Sequence, residues 1–214
     1  MRKIVWLFAV ILSLGLTSCI DILDEIKLNS DKSGSVFIGI ESQLLGTLFG
    51  LANQHIPQEA VDSVLGFPQH SKAKLDAIEG VNDVKAFNQL NEGRFGISFK
   101  FDDPKALNKA YYSLFEMKYA WYYPNIVKIR KHSISRRNLT PQLIKQIEQN
   151  SPNIKDSEYL KYLNIKTIIE LPKDAKWLKT ENPKEEINSN KIIIRYPLTE
   201  VLQEEKSTSY KIHF

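Results

Sequence analysis

Apolar and polar residues alternate twice near the start of the chain. Ile22, Ile26 and Leu28 share one face of an extended segment, with Asp24 the single exception on that face, and Val36, Ile38 and Ile40 repeat the pattern. A period of two predicts half-buried strands. Between them, Asn29-Ser30-Asp31-Lys32-Ser33-Gly34 has turn chemistry: Asp and Ser side chains bond nearby backbone, and Gly34 is free to take positive φ. A second hairpin is predicted from 81–90 through Asn91-Glu92-Gly93 to a strand with Phe95, Ile97, Phe99 and Phe101 on one face. Helical spacing appears in a segment that Ser42 caps, containing Leu44, Leu45, Leu48, Phe49 and Leu51, and in two further helices over 57–65 and 71–79. Asp103-Pro104 opens another, with a capping carboxylate and proline at the first helical position. Its apolar stripe is Leu107, Ala110, Tyr111 and Leu114.

The second half continues in the same mixed style. Residues 119–135 read as extended, with a turn at Pro124-Asn125, and Thr140-Pro141 starts a helix burying Ile144 and Ile147. A short helix over 157–162 leads to a strand carrying Leu163, Ile165, Ile169 and Leu171, which Pro172 ends. Further strands follow at 176–179 and 191–196, and Tyr210, Ile212 and Phe214 alternate to the last residue. Hairpins separated by helices, without single strands alternating with single helices, predict an α+β fold with a mainly antiparallel sheet and helices on one face.

The first residues have a different pattern. Arg2 and Lys3 precede an apolar run from Ile4 to Leu16, and Thr17 and Ser18 then lead to Cys19. That run falls short of the roughly 20 apolar residues a bilayer-spanning helix needs, and polar sequence follows it, so it reads as an export signal over 1–18. Leu16-Thr17-Ser18-Cys19 resembles the lipobox of bacterial lipoproteins. The resemblance implies a diacylglyceryl group on the Cys19 thiol, cleavage before it, and acylation of the new amine. Cys19 is the only cysteine, so no disulfide forms within the chain. With two or three acyl chains, each buried methylene adding about 0.8 kcal/mol, the anchor is permanent.

Residues 19–214 have the length of a single domain, and the full chain has an ordinary globular composition, 43% hydrophobic and 25% charged. Losing Arg2 and Lys3 lowers the formal charge from +4 to +2, which argues against a nucleic-acid partner. The segment Asn29-x-Asp31-x-Ser33-Gly34-Ser35 between strands, and Ile168-Ile169-Glu170-Leu171-Pro172 followed by a hairpin ending at Tyr196-Pro197-Leu198, are similar to uncharacterised Bacteroidetes lipoproteins and, more distantly, to LppM-type lipoproteins. That likeness implies a helix-grip-like α/β domain, some examples of which bind lipid. Ile20 follows Cys19, where enterobacterial lipoproteins retained in the inner membrane carry aspartate. The expected location is therefore the periplasmic side of the outer membrane.

Catalytic motifs are not evident. His55, His70, His132 and His213 are dispersed without metal-ligand spacing, and there is no nucleophile elbow or phosphate loop. Asp102 and Asp103 resemble a carboxylate pair, but helix capping explains Asp103. No cofactor or metal is expected. Three features suit binding, each with a plainer structural reading beside it. Leu44, Leu48 and Phe49, in a segment with Gly46 and Gly50, are either buried core or a mobile cover over an apolar pocket or membrane contact. Trp121, Tyr122 and Tyr123 end an aromatic run from Tyr111 that fits a helix–strand seam or a ligand wall. Lys128 and Arg130, with Lys131, His132, Arg136 and Arg137, form a solvated basic face or a contact for anionic headgroups; Lys128, Arg130 and His132 share a side if the strand is regular. The expected function is a non-enzymatic, membrane-anchored envelope protein binding an apolar or lipid ligand or an envelope protein. The alternatives are an assembly component without a small ligand and, more remotely, an enzyme lacking a visible motif.

Overall fold

A computed structural model describes residues 20–42, 45–47, 50, 58–142, 144–145, 158–180, 184–203 and 206–214. The α+β expectation holds, but with two sheets instead of one. β1 (Ile20–Leu28), β2 (Gly34–Glu41), β3 (Val81–Gln89), β4 (Arg94–Phe101), β7 (Leu163–Glu170), β9 (Lys184–Asn188) and β10 (Lys191–Pro197) form a seven-stranded sheet ordered β3-β4-β2-β1-β7-β10-β9. β5 (Val127–Arg130), β6 (Ser133–Arg136), β8 (Trp177–Thr180) and β11 (Tyr210–His213) form a four-stranded sheet ordered β5-β6-β11-β8. Among these pairings only β1 with β7 is parallel. The strand that opens the described chain is thus the centre of the larger sheet.

Period-two alternation sends Ile26 of β1, Val36 of β2, Ile97 and Phe99 of β4, Ile169 of β7 and Ile192 of β10 to one face. These residues share one core with Val127, Ile134 and Ile212 of the smaller sheet. The three labelled helices contribute to the same core: α1 (Gln58–Asp76) through Leu75, α2 (Pro104–Leu114) through Leu107, Ala110 and Tyr111, and α3 (Leu198–Gln203) through Val201. Helices therefore pack on one face of the large sheet, as its hairpin-rich sequence predicts. Among the described residues the opposite face carries a small cluster of Leu23, Phe37 and Ile168, with the Arg94 guanidinium 4.3 Å from the centre of the Phe37 ring.

Both predicted hairpins form. In the first turn the Asp31 carboxylate accepts from the Ser33 amide (3.0 Å) and hydroxyl (2.7 Å), but Lys32, not Gly34, takes positive φ (73°). Gly34 is required for a different reason: a Cβ there would lie 2.2 Å from the Lys27 carbonyl oxygen and 2.7 Å from the Phe101 ring. In the second, Gly93 adopts the left-handed conformation (φ 74°) after a single 3-10 turn.

Several boundaries differ from the sequence reading. The helices expected at 57–65 and 71–79 are one 19-residue helix, α1, with Pro68 inside it. An interior proline costs about 3 kcal/mol, and burial of Leu75 and packing of Phe67 against the core are of comparable size. Residues 119–135 are not continuously extended: β5 and β6 form a tight hairpin with its turn at Lys131-His132. The strand β9 and helix α3 were not anticipated. β9 is an edge strand, Lys-Glu-Glu-Ile-Asn, whose charges discourage further pairing and hide any alternation. Ile147 lies outside the described residues.

The predicted cap on α2 is present: the Asp103 carboxylate accepts from the amides of Lys105 (2.7 Å) and Ala106 (2.8 Å). A less visible fastening is Asn108, buried on α2. Its amide nitrogen donates to the carbonyls of Pro104 (2.7 Å) and Val127 (2.8 Å), and its oxygen accepts from the amides of Ile126 (2.7 Å) and Val127 (3.1 Å). One side chain therefore docks the helix onto the start of β5. Asn108→Leu keeps the bulk but strands these backbone groups, and should lower stability by roughly 2–5 kcal/mol. Asp103→Ala should cost only about 1 kcal/mol. Urea unfolding midpoints compare the two.

Candidate functional site

Asp24 occupies the core face of the central strand, with Ile38 of β2 and Thr167 of β7 beside it in register. A carboxylate there has lost its water and requires replacement partners. Two other elements supply them. The Tyr111 hydroxyl, from α2, donates to Asp24 Oδ1 at 2.7 Å. Arg136, the last residue of β6, places Nη1 against Asp24 Oδ2 as an ion pair. The guanidinium carbon also lies 5.6 Å from the centre of the Tyr111 ring. Arg136 faces inward because β6 alternates Ile134 and Arg136 toward the core while Ser133 and Ser135 turn away. Its inclusion in a solvated basic face is corrected accordingly.

The surrounding tyrosines are held neutral. Burial pushes the Tyr111 phenol well above its ordinary range, and neighbouring Tyr210 adds to this. Burial also raises Tyr210, to about 12, against the opposing influence of Arg136. Arg136 itself is pulled downward by burial, an effect that Tyr210 and Tyr196 oppose.

The Asp24–Arg136 pair forms the polar part of a cavity of about 160 Å³. Its apolar wall is made by Ile22, Ile38 and Ile165 from the large sheet, Phe115 beyond α2, Leu139 beyond β6, and Leu198 of α3. Thr167 and Gln142 add polar edges. Arg136 Nε and Gln142 Oε1 are buried without a hydrogen-bond partner among the described residues. The volume is that of an apolar cavity able to hold one benzene-sized molecule, roughly 150 Å³. It lies below the roughly 300–1,000 Å³ typical of pockets that enclose a whole drug-sized ligand. The space accepts a ring or the end of a chain.

The residues expected to make a site are placed differently. Cys19, Leu44, Leu48 and Phe49 lie outside the described residues. Trp121 and Tyr122 project from the loop after α2 (86% and 66% exposed) and do not line the cavity, nor does Tyr123. Tyr123 instead stacks on Tyr112 at 6.0 Å, and Tyr119 meets the same ring edge-on at 5.5 Å. Lys128 and Arg130 share the outer face of the four-stranded sheet, but His132 lies in the turn, so the expected row of three is a row of two.

Strand pairing extends that row in a direction the sequence did not reveal. Lys128, Ser135, Lys211 and Lys179 align across all four strands, and Arg130, Ser133, His213 and Trp177 form the adjacent row. Neither row contains an acidic residue. Lys128, Arg130, Lys179 and Lys211 make no ion pair among the described residues. Desolvation, then the charges of Lys211, Arg130, His132 and Lys176, hold His213 below the usual histidine range. Among the described residues no cluster of three or more His, Cys, Asp or Glu side chains has metal-binding geometry.

A buried ion pair gains little over a well-packed apolar substitute, whereas removing one member leaves an uncompensated charge. Arg136→Met should therefore destabilise the protein by about 3–5 kcal/mol, and adding Asp24→Leu should recover most of that loss. A double-mutant cycle in urea measures the coupling. A second expectation concerns alkaline pH. Tyr210 binds its proton more tightly folded than unfolded, so its contribution is complete below the unfolded value near 10 and is lost as pH rises through about 12. Stability should fall across that window, and less steeply in Tyr210→Phe.

No family model and no curated protein sequence matches the chain. Among solved structures, the folded domain of the LppM protein from Mycobacterium tuberculosis, determined by NMR, aligns with a TM-score of 0.41 and 10% identity. The alignment covers 91% of this chain and 88% of that one, a likeness too distant to assign a family or a ligand.

Proposed function

We propose that this protein is a cell-envelope lipoprotein, lipidated at Cys19 and held on the periplasmic side of the outer membrane, whose domain binds the apolar part of an amphipathic molecule. The observation that carries the ligand reading is the cavity between the sheets, apolar over most of its wall and closed on one side by the Asp24–Arg136 pair. A paired charge leaves the site neutral, so an apolar group enters without meeting an unbalanced ion. The anchoring reading rests on the lipobox and on the apolar segment before it; no described helix is long and apolar enough to cross a membrane. We read the activity as binding, not catalysis, because the cavity's charged groups are committed to each other.

A second reading has its own support. The cationic face of the four-stranded sheet, whose two described cross-strand rows hold no acidic residue, fits an acidic surface on a neighbouring envelope protein, which would make the domain an assembly component.

An acyl-chain probe with a terminal diazirine separates these readings in the membrane-bound protein. Adducts on Met117 or Leu139 that disappear when Ile165→Phe fills the cavity support ligand binding. Labelling unaffected by that substitution rejects it. Crosslinks from Lys128 and Lys211 to an acidic protein, with no acyl adducts, favour the assembly reading. Cys19→Ser tests the anchor separately: a precursor that remains lipidated without this thiol would refute it.

A further inference from the structure

We infer that the end of the molecule where β1 begins rests on a bilayer, with Trp121 and Tyr122 seated among the headgroups and Tyr162 at the same end. The inference builds on the anchoring reading above and adds an orientation to it. Two directions in the fold place the aromatic loop. α2 starts just after Phe101, which lies level with Gly34 and Leu28, and by Tyr111 it has reached Asp24, so it runs toward the Ile20 end. β5 runs the opposite way: Val127 pairs with Arg136 beside Asp24, and Arg130 shares a surface recess with Leu28 and Asn29. The loop joining the C-terminal end of α2 to the start of β5 therefore lies at the Ile20 end.

The loop is built to hold its aromatic rings outward. The Tyr112 hydroxyl donates to the Pro124 carbonyl (2.9 Å), the Tyr123 amide donates to the Ala120 carbonyl (2.9 Å), and the Tyr123 ring stacks on Tyr112. On that base Trp121 and Tyr122 meet edge-on at 5.7 Å with most of their surface in solvent. Leaving two large rings exposed forfeits burial energy that a fold normally captures, which points to an occupant. At the same end, Tyr162 is 47% exposed and immediately precedes Leu163, the partner of Ile20. Lys118 and Lys161 are exposed beside these aromatic residues, and Lys161 lies 5.2 Å from the Tyr162 ring centre.

The occupant is a lipid interface because of where the chain enters. Cys19, the residue that the anchoring reading lipidates, joins the domain at this end, directly before the first residue of β1. Rings with an apolar body and a polar tip favour the headgroup layer, and lysines beside them suit anionic lipid.

The full chain carries three tryptophans, and Trp6→Phe with Trp177→Phe leaves Trp121 as the only emitter. This protein would be reconstituted in phosphatidylethanolamine–phosphatidylglycerol vesicles and the bound fraction recovered by flotation. Seated Trp121 gives blue-shifted emission, quenching by lipids spin-labelled near the headgroup, and protection from aqueous iodide. Bound protein whose Trp121 stays fully open to iodide and untouched by spin-labelled lipid overturns the inference, as does protection that requires a second protein. The mass of the Cys19 peptide from the same sample reports on the anchor independently. A lipidated chain with solvent-exposed Trp121 sinks the orientation alone, and an unlipidated, vesicle-bound chain with quenched Trp121 sinks the anchor alone.

Discussion

The ion pair between Asp24 and Arg136 joins the parts of this molecule that sequence separation keeps far apart. One member sits on the central strand of the large sheet, the other on the small sheet, and Tyr111 brings α2 to the same point. A charge so placed has a cost that only one arrangement of the neighbouring strands offsets. If β6 slipped by one residue, Ser135 would replace Arg136 on the inner face and the carboxylate would be left bare. An apolar pair could fill the space as well or better, so the ionic pair's presence is not by itself a source of net stability.

The cavity follows from the same constraint. Toward the Leu28 end the two sheets and α2 close on Phe99, Phe101, Leu107 and Ile134, all nearly free of solvent contact. Toward the Ile20 end the facing groups include a carboxylate and a guanidinium, which must meet in a fixed geometry and cannot repack to fill the remaining volume. Ile22, Ile165 and Leu198 then line space where further apolar side chains would otherwise interdigitate. A buried ion pair and an apolar recess are thus neighbours for one reason.

Local pattern carried much of this architecture. Alternation located both opening hairpins and most of the later strands, because each strand presents one face to a common core. It also singled out Asp24 as a polar residue on an apolar face. Arg136 was equally visible in principle, since it lies two residues beyond buried Ile134, but its basic neighbours drew it into a surface patch. The division into two sheets was not legible: β6 pairs with β11, its partners 74 to 80 positions further along the chain, and no local period encodes such a pairing. The cationic rows were hidden for the same reason, because Lys128 and Arg130 meet Lys179, Lys211 and His213 only through that pairing. The continuity of α1 through Pro68 was hidden too, since burial of Phe67 and Leu75 competes with the local proline penalty only once the sheet exists.

The two distinctive surfaces point in different directions. The aromatic loop and Tyr162 lie at the end where β1 starts, whereas Arg130, in the second cationic row, lies near the turn after Leu28 at the other end. No residue separates Cys19 from β1, which is central in the large sheet and not at its edge, so on the anchoring proposal the domain has little freedom to lie on its side. With the anchor in place, the cationic sheet face therefore stands roughly along the membrane normal. It would meet whatever lies alongside the domain, not the lipid beneath it. On the anchoring proposal the aromatic loop and the cavity lie toward the membrane, and the cationic rows lie to the side. On the same proposal, the basic patch that suggests a headgroup contact in the linear sequence turns away from the anchored end, because strand pairing places Arg130 beside Leu28.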